Sequence, residues 1–279
     1  MKKTVRAVKK CFLLYFNLNL SGSAAELSYY FLFSVFPLIM AMSAVSFMRS
    51  DGEGMVLSIL HTLLPEMVSD LLRDFYRYVR ELNNTAFFSF GALLALYAVA
   101  RYVTAIKRKI REIFCASKEY GIVKEWLLSL GIAVVIVLGL YFTFFVQLVG
   151  QRILTFVSKN IFALPQNIVS SWLFWRFAVI GLYVFFLLYA AYRFIPNVEI
   201  KRRDVLPGTV FSGIAWIAVS CVFSFYVDHI SVYSSVYGSI AAFIVMMLWL
   251  FLINNIILIG ALINRVLFDE KSANKRQFM

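Results

Sequence analysis

Nine side chains place polar or helix-disturbing chemistry inside or at the edges of long apolar runs: Glu26, Tyr30, Ser34, Pro37, Arg101, Arg176, Tyr237, Asn254 and Asn255. Their types set the chemistry on offer. Asn254 and Asn255 are neighbouring amides in the middle of the apolar run Ile240–Leu262. Successive helical residues point about 100° apart, so the two amides face different neighbours. Two readings are open for them: hydrogen-bond glue between helices, or a polar patch that guides a headgroup past the bilayer midplane. Arg101 and Arg176 carry the planar guanidinium fork that suits phosphate. They also have simpler uses. Arg101 is about 9 Å along a helix from Lys107, close enough to snorkel to the surface, and Arg176 stands beside Trp172 and Trp175 in what reads as an aromatic belt.

Glu26 has capping-box spacing from Ser23, a structural reading; as a functional acid it would stand near a substrate or proton path. Pro37 removes one backbone donor and clashes with the carbonyl of Phe33, which predicts a kink next to Ser34 and the Tyr29–Tyr30 pair. That kink is either architectural or the wall of a groove. Tyr237 is expected at a membrane interface, at the end of an outer turn (Ser231–Ser239) that leads into the last apolar run. A re-entrant or gating turn is the alternative there.

Catalytic constellations are missing from the sequence. His61 and His229 are the only histidines, which excludes a His-rich metal site within one chain. No P-loop, GxSxG or HExxH occurs. No cofactor or metal is expected, and the chain is not expected to be an enzyme. Cys11, Cys115 and Cys221 lie far apart and form neither a disulfide framework nor a zinc pattern.

The elements that must position these residues are membrane helices. The chain is 62% hydrophobic and 15% charged over 279 residues, with mean hydropathy +0.81. A soluble domain is nearer 45–50% apolar. Six stretches reach the roughly 20 residues needed to cross a hydrocarbon core of about 30 Å: Ala25–Met48, Ala86–Ile106, Trp126–Gly150, Trp172–Ile195, Val205–Val227 and Tyr237–Leu267. They lack barrel alternation, so each is helical. The fold class is all-α, a polytopic integral membrane protein forming one membrane domain over residues 1–279.

Two flanking segments complete the reading. Residues 1–22 place Lys2, Arg6, Lys9 and Lys10 on one helical face and Val5, Val8, Phe12 and Tyr15 on another, which predicts an amphipathic helix on the cytoplasmic leaflet rather than a cleaved leader. Residues 49–85 carry Leu60, Leu64, Met67 or Val68, Leu71, Phe75, Val79 and Leu82 at helical spacing, with Asp70, Arg73, Asp74, Arg77 and Glu81 opposite. An external helical cap bent at Pro65 is expected, or a lid or docking surface for a partner.

Charge sets the orientation. Nineteen Lys and Arg fall in the N-terminal segment, the second and fourth connections and the C-terminus, against six in the other connections. Both termini are therefore expected on the cytoplasmic face. The net charge of +12 reads as this topology signal and an attraction to anionic lipid, not as a nucleic-acid footprint.

Several segments resemble the YihY/BrkB family of bacterial inner-membrane proteins. The stretch Ala25–Met40, AELSYYFLFSVFPLIM, is similar to the family signature and includes Ser34, Phe36 and Pro37. The runs IPNVEIKRRDVLPGTVFSGIAW and YGSIAAFIVMMLWLFLINNIILIGALIN resemble its most recognisable half, through Pro196, Leu206–Pro207–Gly208, Tyr237–Gly238–Ser239, Trp249, Gly260 and Asn264. Residues 48–170 match by hydropathy more than by motif. The resemblance implies six spans, cytoplasmic termini and lipid export or transport. It also brings an old label as a transfer-RNA-processing ribonuclease, widely considered a misassignment.

The functional expectation is a lipid-handling protein of the inner membrane: a transporter, flippase or export partner for an amphipathic molecule. Membrane lipids and a periplasmic or envelope protein are the expected partners. A scaffold for an envelope complex is the alternative, and a ribonuclease comes last because clustered ligands or a nucleophile with its base are missing.

Overall fold

The computed structural model describes residues 2–47, 66–82, 85–116, 121–160, 172–196, 198, 200–229 and 239–276. Regular structure among them is helical throughout. The helices are α1 (Lys2–Asn17), α2 (Leu20–Phe47), α3 (Glu66–Glu81), α4 (Thr85–Ile113), α5 (Ile122–Asn160), α6 (Trp172–Phe194), α7 (Arg202–His229) and α8 (Ser239–Arg276). Five contain stretches long and apolar enough to cross a membrane: Leu20–Ala41, Ser89–Ile113, Val123–Thr143, Arg202–Val227 and Ile240–Glu270. Ala178–Phe194 is a shorter apolar stretch within the 23 residues of α6. The helices outrun the apolar windows read from sequence, α5 reaching 39 residues and α8 reaching 38.

Asn19 joins the first two helices. It adopts φ 46°, a left-handed conformation that Asn tolerates, and so ends α1. Its side-chain oxygen accepts the Gly22 N–H at 3.3 Å and so caps α2. Because α2 starts at Leu20, Ser23 and Glu26 lie inside the helix, and the expected capping box is replaced by this Asn cap. Helix α4 stops in a similar way. Cys115 sits at φ 49°, its N–H donates to the Glu112 carbonyl and the Ala116 N–H to that of Arg111. This is a Schellman ending with cysteine where glycine is usual.

The helices pack in the order α5, α4, α2, α8, α7, α6, with α6 returning to α5, while α8 also touches α1, α3, α4 and α6. Helix α8 is thus the hub. Lipid gives helices no hydrophobic reason to associate, so close packing needs small residues. The α7–α8 crossing supplies them: a methyl group on Gly208 would collide with the Gly260 carbonyl, and one on Gly260 with Ser212 Oγ, the Tyr192 hydroxyl and the Gly208 carbonyl. The small residues Gly208 and Ser212, four apart, both lie in this crossing.

Helix α3 packs on α2, α7 and α8 through Val68, Leu72, Tyr76 and Val79, which lie on one face. Asp74, Arg77, Tyr78 and Glu81 are exposed. The expected apolar stripe is rotated: Tyr76 is fully buried, Leu71 and Phe75 lie at the edge, and Leu82 is exposed. Pro65, the expected bend, is outside the described residues.

Candidate functional site

A column of polar contacts runs down α8. The Asn254 amide accepts the Tyr102 hydroxyl of α4 at 2.9 Å and donates to Ser28 Oγ of α2 at 3.2 Å and to the Leu250 carbonyl at 2.9 Å. Asn255 faces elsewhere, as the helical rotation requires: it accepts the Tyr15 hydroxyl of α1 at 2.8 Å and donates to the Phe251 carbonyl. Below them, Tyr192 of α6 donates to the Ile257 carbonyl at 2.6 Å, and Ser212 of α7 donates to that of Ile256 at 3.2 Å. Pro207 offers no N–H, and the neighbouring Gly208 N–H donates to Asn264 Oδ1 at 2.7 Å. Both adjacent asparagines are buried and bonded within the bundle.

The end of the bundle that holds α1 and the last turns of α8 is ionic. Asp269 of α8 pairs with Arg265 at 3.0 Å and with Lys10 of α1 at 2.9 Å, which puts the start and the end of the chain on one side. Lys107 is only 1% exposed and pairs with Glu125 at 2.8 Å. It also donates to Ser129 Oγ at 3.1 Å. Glu125 is shared with Arg111 at 2.8 Å. Three cations here bond the unpaired carbonyls at the ends of other helices. Lys109 reaches Leu18 past α1 at 2.7 Å, Arg111 reaches Ile195 past α6 at 3.3 Å, and Arg265 reaches Phe114 past α4. The last carbonyls of a helix lack intrahelical donors and carry the negative end of its dipole, so a cation is favoured there.

A seam between α2 and α4 faces outward. The Arg101 guanidinium stands 5.5 Å from the centre of the Tyr30 ring. Tyr29 packs edge-on against Tyr30 at 5.7 Å, and Tyr97 lies one turn before Arg101 on the same exposed stripe of α4. Among the described residues, Arg101 makes no ion pair or hydrogen bond, nor do the hydroxyls of Tyr29, Tyr30 and Tyr97 make hydrogen bonds. At the ionic end the seam closes on the exposed pair Glu26–Arg108, 2.6 Å apart. Ser34 donates to the carbonyl of Phe31 within its own helix at 2.6 Å, and Pro37 is buried.

A family model described as Virulence factor BrkB matches residues 16–279. The chain belongs to that family. Among BrkB-like relatives, it is 29% identical over 250 residues to the ribonuclease-like protein YfkH of Bacillus subtilis (strain 168), covering 90% of each chain. It is 27% identical over 256 residues to a UPF0761 membrane protein of Psychrobacter sp. (strain PRwf-1), covering 88% of this chain and 45% of that one. A UPF0761 membrane protein of Tolumonas auensis is 23% identical over 257 residues, covering 85% of this chain and 77% of its own. The chain spans less than half the length of the Psychrobacter relative. No solved structure matches it. A membrane protein of the BrkB and UPF0761 kind accords with the apolar helices of the fold.

In this BrkB-family chain the nine sequence candidates separate into groups. Glu26, Tyr30 and Arg101 come together along the α2–α4 seam. Asn254 and Asn255 lie within the bundle, on different neighbours. Ser34 and Pro37 stay within α2. Arg176 belongs to α6, but its side chain is outside the described set, and Tyr237 is outside it altogether. Sequence reasoning missed Lys107, Glu125, Arg111 and Tyr192. For Lys107 and Arg111 the signal was the coincidence of basic residues with the ends of the apolar runs, where a charge count registers topology alone; Glu125 carried no comparable signal. Among the described residues, no three His, Cys, Asp or Glu side chains are grouped so as to hold a metal ion.

Proposed function

We propose that this chain is a six-span inner-membrane protein with both termini in the cytoplasm, and that it moves an anionic amphipathic lipid across the bilayer along the α2–α4 seam. The observation that supports this reading is Arg101: an arginine within an apolar span, exposed on the outside of the bundle and bonded to no partner among the described residues. An ionisable group in that position is costly and marks a pathway by default. The interior amides offer less, because Asn254 and Asn255 are already bonded within the bundle. A headgroup would slide along the outside, its phosphate passing from Arg108 to the guanidinium of Arg101 and the phenol groups of Tyr30 and Tyr97, while its acyl chains stay in lipid. A guanidinium and phenol donors replace water around a phosphate oxygen. Among the described residues, no group of three His, Cys, Asp or Glu side chains that could hold a metal ion supports the old ribonuclease label.

The test is photolabelling. Protein in vesicles that contain an anionic phospholipid with a diazirine near its headgroup is irradiated, digested and mapped by mass spectrometry. Adducts on peptides that hold Tyr29–Phe33 or Tyr97–Arg101 are expected, reduced at least fivefold in Arg101→Gln. Adducts spread evenly over the lipid-facing helices, or unchanged in that variant, would refute the seam.

A scaffold role is the second reading, favoured by the exposed polar face of α3, with Asp74, Arg77 and Glu81 turned from the bundle. It predicts that charge reversal on α3 removes a co-purifying envelope protein and leaves lipid movement intact.

A further inference from the structure

Helix α1 presents three different surfaces. Cys11, Leu14, Tyr15 and Leu18 pack against the core at the ionic end of the bundle. Val8, Phe12 and Phe16 recur every fourth residue on a second sector and are exposed, Phe12 at 63% and Phe16 at 62%. At about 100° per residue, Lys2, Arg6, Lys9 and Lys10 fall on a third sector that borders the exposed apolar one. No acidic residue occurs in Lys2–Asn17.

The helix is also held at a defined level. Tyr15 bonds Asn255 at 2.8 Å, Lys10 pairs with Asp269 at 2.9 Å, and Asn19 turns the chain directly into the first apolar span. At 16 residues α1 is about 24 Å long, too short to cross a bilayer of about 30 Å, and its first half is too polar to enter one. It stands where the spans begin. An apolar sector next to a basic sector, at that depth, fits the boundary between acyl chains and anionic headgroups.

We propose that α1 is a binding element for anionic phospholipid, with Phe12 and Phe16 inserted among the acyl chains and the basic sector that carries Lys9 on headgroup phosphates. This site is separate from the α2–α4 seam and stands without it. Its occupant is the bilayer surface. A second copy of this chain is disfavoured, because two basic sectors would meet without a carboxylate between them.

The experiment uses the full chain in nanodiscs of phosphatidylcholine with or without phosphatidylglycerol. A nitroxide is attached to Phe12→Cys, and separately to Phe16→Cys, after Cys11→Ala, Cys115→Ser and Cys221→Ser. Collision with dissolved oxygen and with a water-soluble nickel chelate is then measured. High oxygen and low nickel accessibility at both positions is expected. Nickel accessibility typical of an aqueous site would overturn the proposal, and so would protection from both agents, the sign of a protein cover. As a second measurement, detergent-extracted protein from mixed-lipid membranes is analysed by native mass spectrometry. The wild type is expected to retain phosphatidylglycerol over phosphatidylcholine, and the Arg6→Gln, Lys9→Gln double variant to lose that preference about fivefold. An unchanged ratio would also overturn it.

Discussion

Gly208 of α7 and Gly260 of α8 stand so close that a methyl group on either would run into a carbonyl oxygen of the other. The same crossing carries the Gly208 N–H to Asn264 and the Ser212 and Tyr192 hydroxyls to α8 carbonyls, so three polar contacts depend on the approach of two backbones. Gly208→Ala and Gly260→Ala should each cost about 1–3 kcal/mol through overpacking. The lost hydrogen bonds would add to that cost. Gly213 lies on the same helix with open space around it and provides the control. Thermal unfolding in detergent should place both variants several degrees below wild type and Gly213→Ala level with it. Equal stability of all three would mean that the helices do not meet there.

The buried ionic cluster makes an asymmetric prediction. Glu125 is shared by Lys107 and Arg111, so Glu125→Gln leaves two cations facing each other near the core. Removing one partner of a buried pair costs about 3–5 kcal/mol when the other charge is left uncompensated, whereas Lys107→Met leaves Glu125 still paired with Arg111. Glu125→Gln should therefore lower the melting temperature far more than Lys107→Met, and adding Lys107→Met to Glu125→Gln should restore part of the loss. A double variant less stable than Glu125→Gln alone would contradict the cluster.

Asn254 and Arg101 should separate stability from function. Asn254→Leu breaks side-chain bonds to Tyr102 and Ser28, which in membranes average about 0.6 kcal/mol each, so a loss of about 1 kcal/mol is expected. Arg101→Gln removes no hydrogen bond or ion pair to a described residue, and its melting temperature should stay within a degree of wild type. The two variants should exchange places in a lipid-movement assay, Asn254→Leu keeping activity and Arg101→Gln losing it.

Thiol chemistry reports on the sidedness of the ionic end. Cys115 is exposed just past α4, while Cys11 is half-buried. Burial is the main effect that raises the Cys11 thiol above its ordinary value; nearby Lys10 opposes it and Glu270 adds to it. The thiolate is the reactive form, so a raised pKa leaves less of it at neutral pH. In permeabilised cells, a membrane-impermeant maleimide at pH 7 should label Cys115 first, with Cys11 accelerating only as the pH rises. Intact cells should show no labelling of Cys115. Rapid labelling of Cys115 from outside would reverse the orientation. Separately, Cys115→Gly should stabilise the protein by roughly 1 kcal/mol by relieving the left-handed residue.

Hydropathy made the apolar helices legible because the requirement is crude: about 20 residues without charge. Helix ends were less so. Asn19 acts through a left-handed turn that places one side chain at the junction of two helices, and nothing in the spacing of Ser23 and Glu26 distinguishes a true cap from a chance pair. The adjacent asparagines announced polar contacts, but the identity of Ser28, Tyr102 and Tyr15 as partners depends on which helices meet. The basic residues carried two meanings at once. Lys109, Arg111 and Arg265 count towards orientation and also bond helix ends, and a charge count cannot separate the two roles. Lys107 counts as a surface charge in any tally of basic residues, yet it is buried, because the arrival of Glu125 from the next helix makes its burial tolerable.

The most direct measurement is lipid movement itself. Purified protein is reconstituted into vesicles that contain a fluorescent anionic phospholipid, and the label on the outer leaflet is bleached with dithionite. Wild-type protein should let the bleached fraction rise beyond half, Gly213→Ala should match it, and Arg101→Gln should slow the second phase at least tenfold. If wild-type vesicles bleach only to the half seen in protein-free vesicles, or if Arg101→Gln moves lipid as fast as wild type, the α2–α4 seam is not a lipid path.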